Sequence, residues 1–450
     1  MNVVLLSTYE LGHQPFGLAS PKAWLLREGH AVHCADLSVD SLPEAAIYVA
    51  DMIAFYLPMH TATRLALPVI ERVRKMNRRA CLVGYGLYAP LNAELLRGLG
   101  VQAIVGGEFE PALVGLARGE MIAGIVLDRL HFITPDRRTL PGAEKYARLW
   151  QGGESKLVAY TEASRGCKHL CRHCPIVPVY QGQFRVVQRD VVLDDIRQQL
   201  AAGAQHVTFG DPDFFNGPSH ARRIVEELHA EFPAVTYDAT IKIEHLLQHQ
   251  GLLGVLKETG CLFITSAAES VDDAVLAKLE KNHTRRDFFE AVARVREAGL
   301  TLKPTFIAFT PWTTLAAYRD LLQAIADLNL IENVAPVQLA LRMLITPGSR
   351  LLELEDVRSL IGPFDSRSLV FPWKHPDPAV DALGQRIFQL ANEHHTLGRR
   401  HAETFKEIWT IAGGDLLPAS FDLPPQGDVP YVDEPWYCCA EPTEEQLALL

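Results

Sequence analysis

Three cysteines in the run Ser164-Arg165-Gly166-Cys167-Lys168-His169-Leu170-Cys171-Arg172-His173-Cys174-Pro175 constrain this chain more than any other feature. Their spacing, Cys-x3-Cys-x2-Cys, lets one loop bring three thiolates to a point, and soft thiolates favour zinc or an iron–sulfur cluster. A structural zinc site wants four ligands. His169 or His173 would supply the fourth, and a [4Fe–4S] cluster with one iron left open accounts for the same count. Arg165, Lys168 and Arg172 are placed to offset the negative charge of such a cluster. With 450 residues, 8 cysteines, 48% hydrophobic and 22% charged residues, the chain is neither a disulfide-stapled miniprotein nor disordered. Its cysteines then read as thiols of a reducing compartment. Lys+Arg 43 against Asp+Glu 54 gives a net charge of −11, which attracts no phosphate backbone and argues against nucleic acid as a partner.

The cysteine run follows the first of a series of strand-like segments, at residues 158–162, 207–209, 235–240, 262–267, 301–308 and 337–341, separated by helical stretches. Such alternation predicts an α/β fold, here a partial (β/α)6 barrel with its chemistry at the carboxyl ends of the strands. Upstream, apolar runs at 2–7, 31–37, 52–57, 80–83 and 103–105 predict a separate parallel sheet of the Rossmann type. Its ligand crevice would gather residues 8–17, 58–61, 84–88 and 106–109. The expected organisation is a Rossmann-like domain over 1–120, a linker over 121–154, the barrel over 155–350 and a C-terminal extension over 351–450. That extension carries Pro-rich pieces around one helical stretch, 380–411, and is expected to wrap or cap the rest. The N-terminus shows no leader pattern and no apolar stretch is long enough to span a bilayer, so a cytoplasmic protein without membrane contact is expected.

The cysteine loop and the barrel pattern behind it resemble the radical S-adenosylmethionine (SAM) superfamily. The resemblance covers residues 155–350 and implies that Cys167, Cys171 and Cys174 hold a [4Fe–4S] cluster. Its open iron would chelate the amino and carboxylate groups of SAM, and an electron from a donor such as flavodoxin or ferredoxin would break a C–S bond to give a carbon radical. The second strand ends in Thr208-Phe209-Gly210-Asp211-Pro212-Asp213-Phe214, which makes Asp211 and Asp213 candidates for the SAM ammonium; a turn or N-cap is the other reading of each. Glu269 and Ser270 resemble the family's ribose and carboxylate contacts. The run Lys281-Asn282-His283-Thr284-Arg285 would supply a cation for the SAM carboxylate, with Arg285 the candidate, or would be a solvated helix end.

A Rossmann-like domain ahead of such a barrel resembles the cobalamin-binding subclass, including Pro58-Met59-His60-Thr61 and Gly106-Gly107-Glu108. The D-x-H-x-x-G pattern that supplies a histidine to cobalt elsewhere is absent, and Gly84-Tyr85-Gly86 matches the family's Gly-Gly-x-His turn poorly. Tyr85 or Tyr88 could fill the space of the corrin. Cobalamin therefore stays an open third cofactor.

Near the C-terminus stands Trp436-Tyr437-Cys438-Cys439-Ala440-Glu441-Pro442. Adjacent cysteines make only a strained, easily reduced disulfide. Two soft thiolates on a tail would instead hold a thiophilic atom such as trivalent arsenic, with core packing and a redox pair as the other readings. The tail resembles a radical SAM subgroup ending in Cys-Cys-Ala-Glu-Pro. That subgroup includes the enzyme of arsinothricin biosynthesis, which moves a 3-amino-3-carboxypropyl group from SAM to arsenic. The resemblance implies that Cys438 and Cys439 are catalytic and present a small arsenic(III) substrate to a SAM-derived radical. A cobalamin-dependent radical SAM methyltransferase is the alternative, and an iron–sulfur or arsenic-sensing binding protein the non-enzymatic one. Cys34, Cys81 and Cys261 stand in apolar strand contexts and read as core.

Overall fold

The computed structural model describes residues 1–122, 124–413 and 429–433. Cys438 and Cys439 lie outside the described residues.

The first sheet holds β1 (Asn2–Ser7), β2 (Ala31–Asp36), β3 (Met52–Tyr56), β4 (Cys81–Tyr85), β5 (Ala103–Gly107) and β6 (Gly124–Val126), in the order β2-β1-β3-β4-β5-β6. All its pairings are parallel. Successive side chains of a strand point to opposite faces. Here both faces are apolar: Val4, Leu6, Ile53 and Phe55 enter one buried cluster, while Val3, Leu5, Met52 and Ala54 enter another. A parallel sheet sandwiched between helices requires this pattern. Cys34 belongs to one of these clusters, and Cys261 lies in the barrel core.

The chain continues through β7 (Arg148–Gln151), β8 (Glu154–Thr161), an antiparallel ribbon of β9 (Ser164–Gly166) and β10 (Phe184–Val186), then β11 (His206–Phe209), β12 (Thr236–Thr240), β13 (Cys261–Glu269) and β14 (Thr301–Phe306), and later β15 (Tyr431–Val432). The second sheet runs β14-β13-β12-β11-β8-β7-β15. Five of its strands are parallel, and β7 and β15 are added antiparallel. The sheet curls: Lys303 Nζ on β14 lies 5.0 Å from the Phe263 ring centroid and 6.0 Å from that of Tyr431 on the opposite edge strand. Val207, Phe209, Tyr237, Ala239, Ile264, Leu302 and Phe306 face outward into one large core with the surrounding helices. The architecture is thus the expected α/β pair of a Rossmann-like sheet and a partial barrel.

Two segments depart from expectation. Residues 337–341 do not form a sixth full strand. Pro336 opens a 3-10 turn, Pro336–Leu339, and the sixth stave is reduced to a parallel bridge between Phe309 and Arg342. Proline pre-sets a helical φ and has no N–H to donate to a ladder. The stretch 380–411 is broken into helices Pro378–Thr396 and His401–Ile411. Gly398 sits between them at φ +62°, and the amide of Arg399 reaches back to the His394 carbonyl, a glycine-dependent helix stop. Both helices pack Val380, Ile387, Phe405 and Ile408 onto the barrel core, so this part of the extension does cap the barrel.

Candidate active site

The cysteine loop is clasped at its base. Gly166 pairs with Phe184, Arg165 with Arg185 and Ser164 with Val186, so residues 167–183 leave and return through one ribbon. Gly166 has φ +75°, and a Cβ there would come within 2.6 Å of the Gln183 carbonyl and strike the Tyr180 ring. Only glycine fits. Further ties hold the loop from outside: Arg172 N–H donates to the Leu279 carbonyl, Ser349 Oγ to the Arg172 carbonyl and Arg350 to the Leu170 carbonyl.

Asp211, at the end of β11, accepts the Ala163 amide at 2.9 Å and the Ser164 hydroxyl at 2.5 Å. It therefore fastens the strand to the start of the cysteine loop. Burial lifts its carboxyl to about 7 despite those two hydrogen bonds. Asp213 caps the turn at Phe215 and faces His245 Nδ1 at 2.6 Å and His169 Nε2 at 3.8 Å. Cys167, His169 and Asp213 place ligand atoms within 4.8 Å of one another. Burial pushes the Cys167 thiol up to about 11, so its ionisation has to accompany metal binding.

Glu269 ends β13 where the register shifts, and adopts φ +65°. The bend brings its carboxylate 3.0 Å from His173 Nε2 and 3.4 Å from Lys281 Nζ. Burial works to raise this carboxyl, but Lys281 and His173 together outweigh it and hold it at about 2. Burial likewise disfavours the Lys281 ammonium, and Glu269 with the nearby sulfurs of Cys171 and Cys174 overcomes it and raises its pKa. Lys242, at the end of β12, places Nζ 3.9 Å from Cys171 Sγ. Ser270 is close by but accepts the Asp272 amide in the following turn. Arg285 is not brought to this group: its guanidinium pairs with Asp320 and lies over the Phe289 ring.

The cations beside the thiols are thus Lys242 and Lys281, not the arginines of the loop itself. Arg172 pairs with Glu280 and Glu353. Arg165 is spent on carboxylates, donating to Glu110 at 2.6 and 2.9 Å, to Glu108 at 3.3 Å and to Glu162 at 2.7 Å. Ser20 completes Glu110 and Tyr180 completes Glu108. Phe16, Phe109 and Phe132 surround the guanidinium. Glu108 and Glu110 come from the Rossmann-like sheet, so its carboxyl edge is docked on the cysteine loop. Lys242 carried no sequence signal of its own, and His173 read only as a spare metal ligand. Position at a strand's carboxyl end would have marked Lys242, and the fixed offset from Cys171 would have marked His173 as a partner for Glu269.

The three thiols, two lysines and buried carboxylates form a donor set that suits an iron–sulfur cluster with a charged ligand. At the seam, Tyr85 packs within its own domain, donating to the Gly17 carbonyl at 2.8 Å, while Tyr88, His173, Met343 and Thr346 help line a cavity of about 10 Å³, room for one water.

Comparison with known proteins gives the class. Residues 161–323 match the profile of the Radical SAM superfamily. The chain is 25% identical over 439 residues, 90% of its length and 80% of the relative's, to the hopanoid C-3 methylase of Methylococcus capsulatus. It is 26% identical over 184 residues to the ribosomal protein uS12 methylthiotransferase RimO of Geobacter sulfurreducens, of which it covers 40%. The fold is similar to the radical SAM methyltransferase TsrM of Kitasatospora setae, solved with tryptophan and a SAM analogue (TM-score 0.64, 15% identity, 78% of this chain and 75% of that one). It is also similar to the cobalamin-dependent SAM radical enzyme OxsB, solved with aqua-cobalamin (TM-score 0.68, 15% identity, 86% and 66%). The chain thus carries a radical SAM region over residues 161–323, and it is an enzyme, a transferase. Enzymes of this class use a [4Fe–4S] cluster and SAM and take electrons from a reductant. Among the described residues no helix is long and apolar enough to cross a membrane.

Proposed function

We propose that the protein is a radical SAM methyltransferase, and that Cys167, Cys171 and Cys174 hold its cluster. The observation that carries the reading is that the likeness to a methylase runs through 90% of the chain, across the Arg165–Glu110 seam and both sheets, and is not confined to the barrel. A [4Fe–4S] cluster held by Cys167, Cys171 and Cys174 would supply the electron for cleavage of a C–S bond of SAM. The chain's own residues prepare the site for it. Lys242 and Lys281 balance the thiolate charge; Glu269, held ionised by Lys281 and His173, accepts hydrogen bonds from bound SAM; Asp213 is the second candidate for its ammonium. Asp211 acts through the loop that it anchors. The aromatic shell of Arg165 keeps water from the loop's base.

For cobalamin, the support is local. Ser7 Oγ and Glu10 Oε2, at and just after the end of β1, are buried without a hydrogen-bond partner among the described residues. The amide side chains of a corrinoid would satisfy them, and a bound corrinoid would supply a methyl carrier between SAM and substrate.

The second reading is 3-amino-3-carboxypropyl transfer to an arsenic(III) species, and the observation that favours it is the adjacent pair Cys438-Cys439. Analysis of the nucleosides left after reductive turnover separates the two. Methyl transfer leaves S-adenosylhomocysteine, whereas aminocarboxypropyl transfer leaves 5′-methylthioadenosine. S-adenosylhomocysteine is expected. Methylthioadenosine that forms only with arsenite, and is lost when Cys438 and Cys439 are replaced by serine, would establish the second reading instead.

A further inference from the structure

The barrel's inner face is polar above a small apolar floor of Leu149, Val158 and Phe263. Alternation along the strands turns Thr208, Thr240, Thr265 and Thr305 inward, opposite the outward residues of the apolar core. Thr208, Thr240 and Thr265 are only half-buried, although helices cover the other side of the same strands, so the lumen is open. One layer below, Asp238 accepts His206 Nε2 at 2.9 Å and the Thr208 hydroxyl at 2.6 Å, both on Oδ1. Oδ2 has no protein partner among the described residues. Lys303 Nζ lies over the Phe263 and Tyr431 rings, and no carboxylate pairs with it among the described residues. Burial lowers its pKa to about 8 against the pull of Asp238, so it is still cationic at neutral pH. His13, from the loop after β1, stacks on Tyr160 at 4.7 Å, bringing a side chain of the Rossmann-like domain to the barrel strand beside this lumen.

From these placements we infer that the substrate is a compact amino-acid-type zwitterion, its carboxylate on Lys303 and its ammonium on Asp238. The inference rests on the radical SAM transferase reading and names the substrate class of that same barrel. An apolar polycyclic substrate would leave Asp238 Oδ2 and the Lys303 ammonium covered without polar partners, a cost that selects against it. A phosphate dianion would meet one cation and the repulsion of Asp238. A monoanionic carboxylate matches a single lysine, and an amino group beside it matches the free oxygen of Asp238.

The test is equilibrium binding to the cluster-loaded, SAM-bound full chain, with the twenty L-amino acids, the amines formed by their decarboxylation, and phosphatidylcholine vesicles containing a hopanoid. Cluster absorbance and SAM affinity are measured first on each preparation. Failure of the wild type to bind SAM would strike the transferase reading itself. With both intact, at least one amino acid should bind. Lys303→Met should weaken it about tenfold or more while leaving the matching amine's affinity unchanged, and Asp238→Asn should weaken both. A merely structural Lys303 would alter amino acid and amine alike. No binding by any amino acid, equal weakening of acid and amine in Lys303→Met, or binding of the hopanoid vesicles alone would each overturn the inference.

Discussion

Arg165, two residues before Cys167, donates to both carboxylate oxygens of Glu110, at 2.6 Å to Oε1 and 2.9 Å to Oε2, across the seam between the two sheets. The pair is buried, with side-chain exposure of 6% and 0%. Arg165→Ala would leave Glu108, Glu110 and Glu162 buried around an empty place, and breaking a buried pair from one side costs about 3–5 kcal/mol. A urea midpoint lowered to match, with new proteolytic cleavage near the cysteine loop, is the expected outcome. An unchanged midpoint would show that the seam does not depend on this guanidinium.

Glu108 makes the seam pH-dependent. Burial, against the pull of Arg165, lifts its carboxyl to about 7 from an ordinary value of 4.5. A carboxyl raised in the folded state binds its proton there more tightly than in the unfolded chain. Its contribution is therefore complete below about 4.5 and is lost as pH rises through 7. Glu108→Gln removes that dependence. Melting temperatures of wild type and variant should diverge in the variant's favour between pH 5 and pH 8, each tenfold difference in proton affinity between folded and unfolded chain being worth roughly 1.4 kcal/mol. A difference that stays constant with pH would refute the assignment.

The cationic side of the proposed SAM site separates two residues that one sequence run offered together. Glu269→Gln or Lys281→Met should weaken SAM binding about tenfold or more, with the iron–sulfur absorbance retained. Arg285→Ala should leave it unchanged, because that guanidinium serves Asp320. Isothermal titration of the loaded enzyme reads all three, and a large loss in Arg285→Ala alone would reverse the assignment.

The contrast shows where sequence reading reaches its limit. Both sheets were legible because buried parallel strands write themselves as apolar runs, and β1, β3, β11 and β12 lie within a residue or two of where those runs put them. The sixth stave failed because an apolar run after Pro336 looks the same as a strand until the ladder is drawn. Arg165 and Arg172 looked like counter-charges to the cysteines because they are neighbours in sequence. Their partners, Glu108, Glu110, Glu280 and Glu353, come from distant segments, whereas Lys242 and Lys281 reach the thiols from the ends of other barrel units. Charge proximity is a tertiary property, and spacing along one loop does not report it.

The central claim is that the loop clasped by β9 and β10 carries the reactive centre. The most direct measurement is reductive SAM cleavage, followed as 5′-deoxyadenosine or S-adenosylhomocysteine, together with iron content, in anaerobically reconstituted wild type and in the Cys167→Ala, Cys171→Ala and Cys174→Ala proteins. The account predicts about four irons and SAM cleavage in the wild type, with loss of both in each variant while the fold, read by circular dichroism, persists. Full iron content and undiminished SAM cleavage in any one of the three folded variants would contradict it.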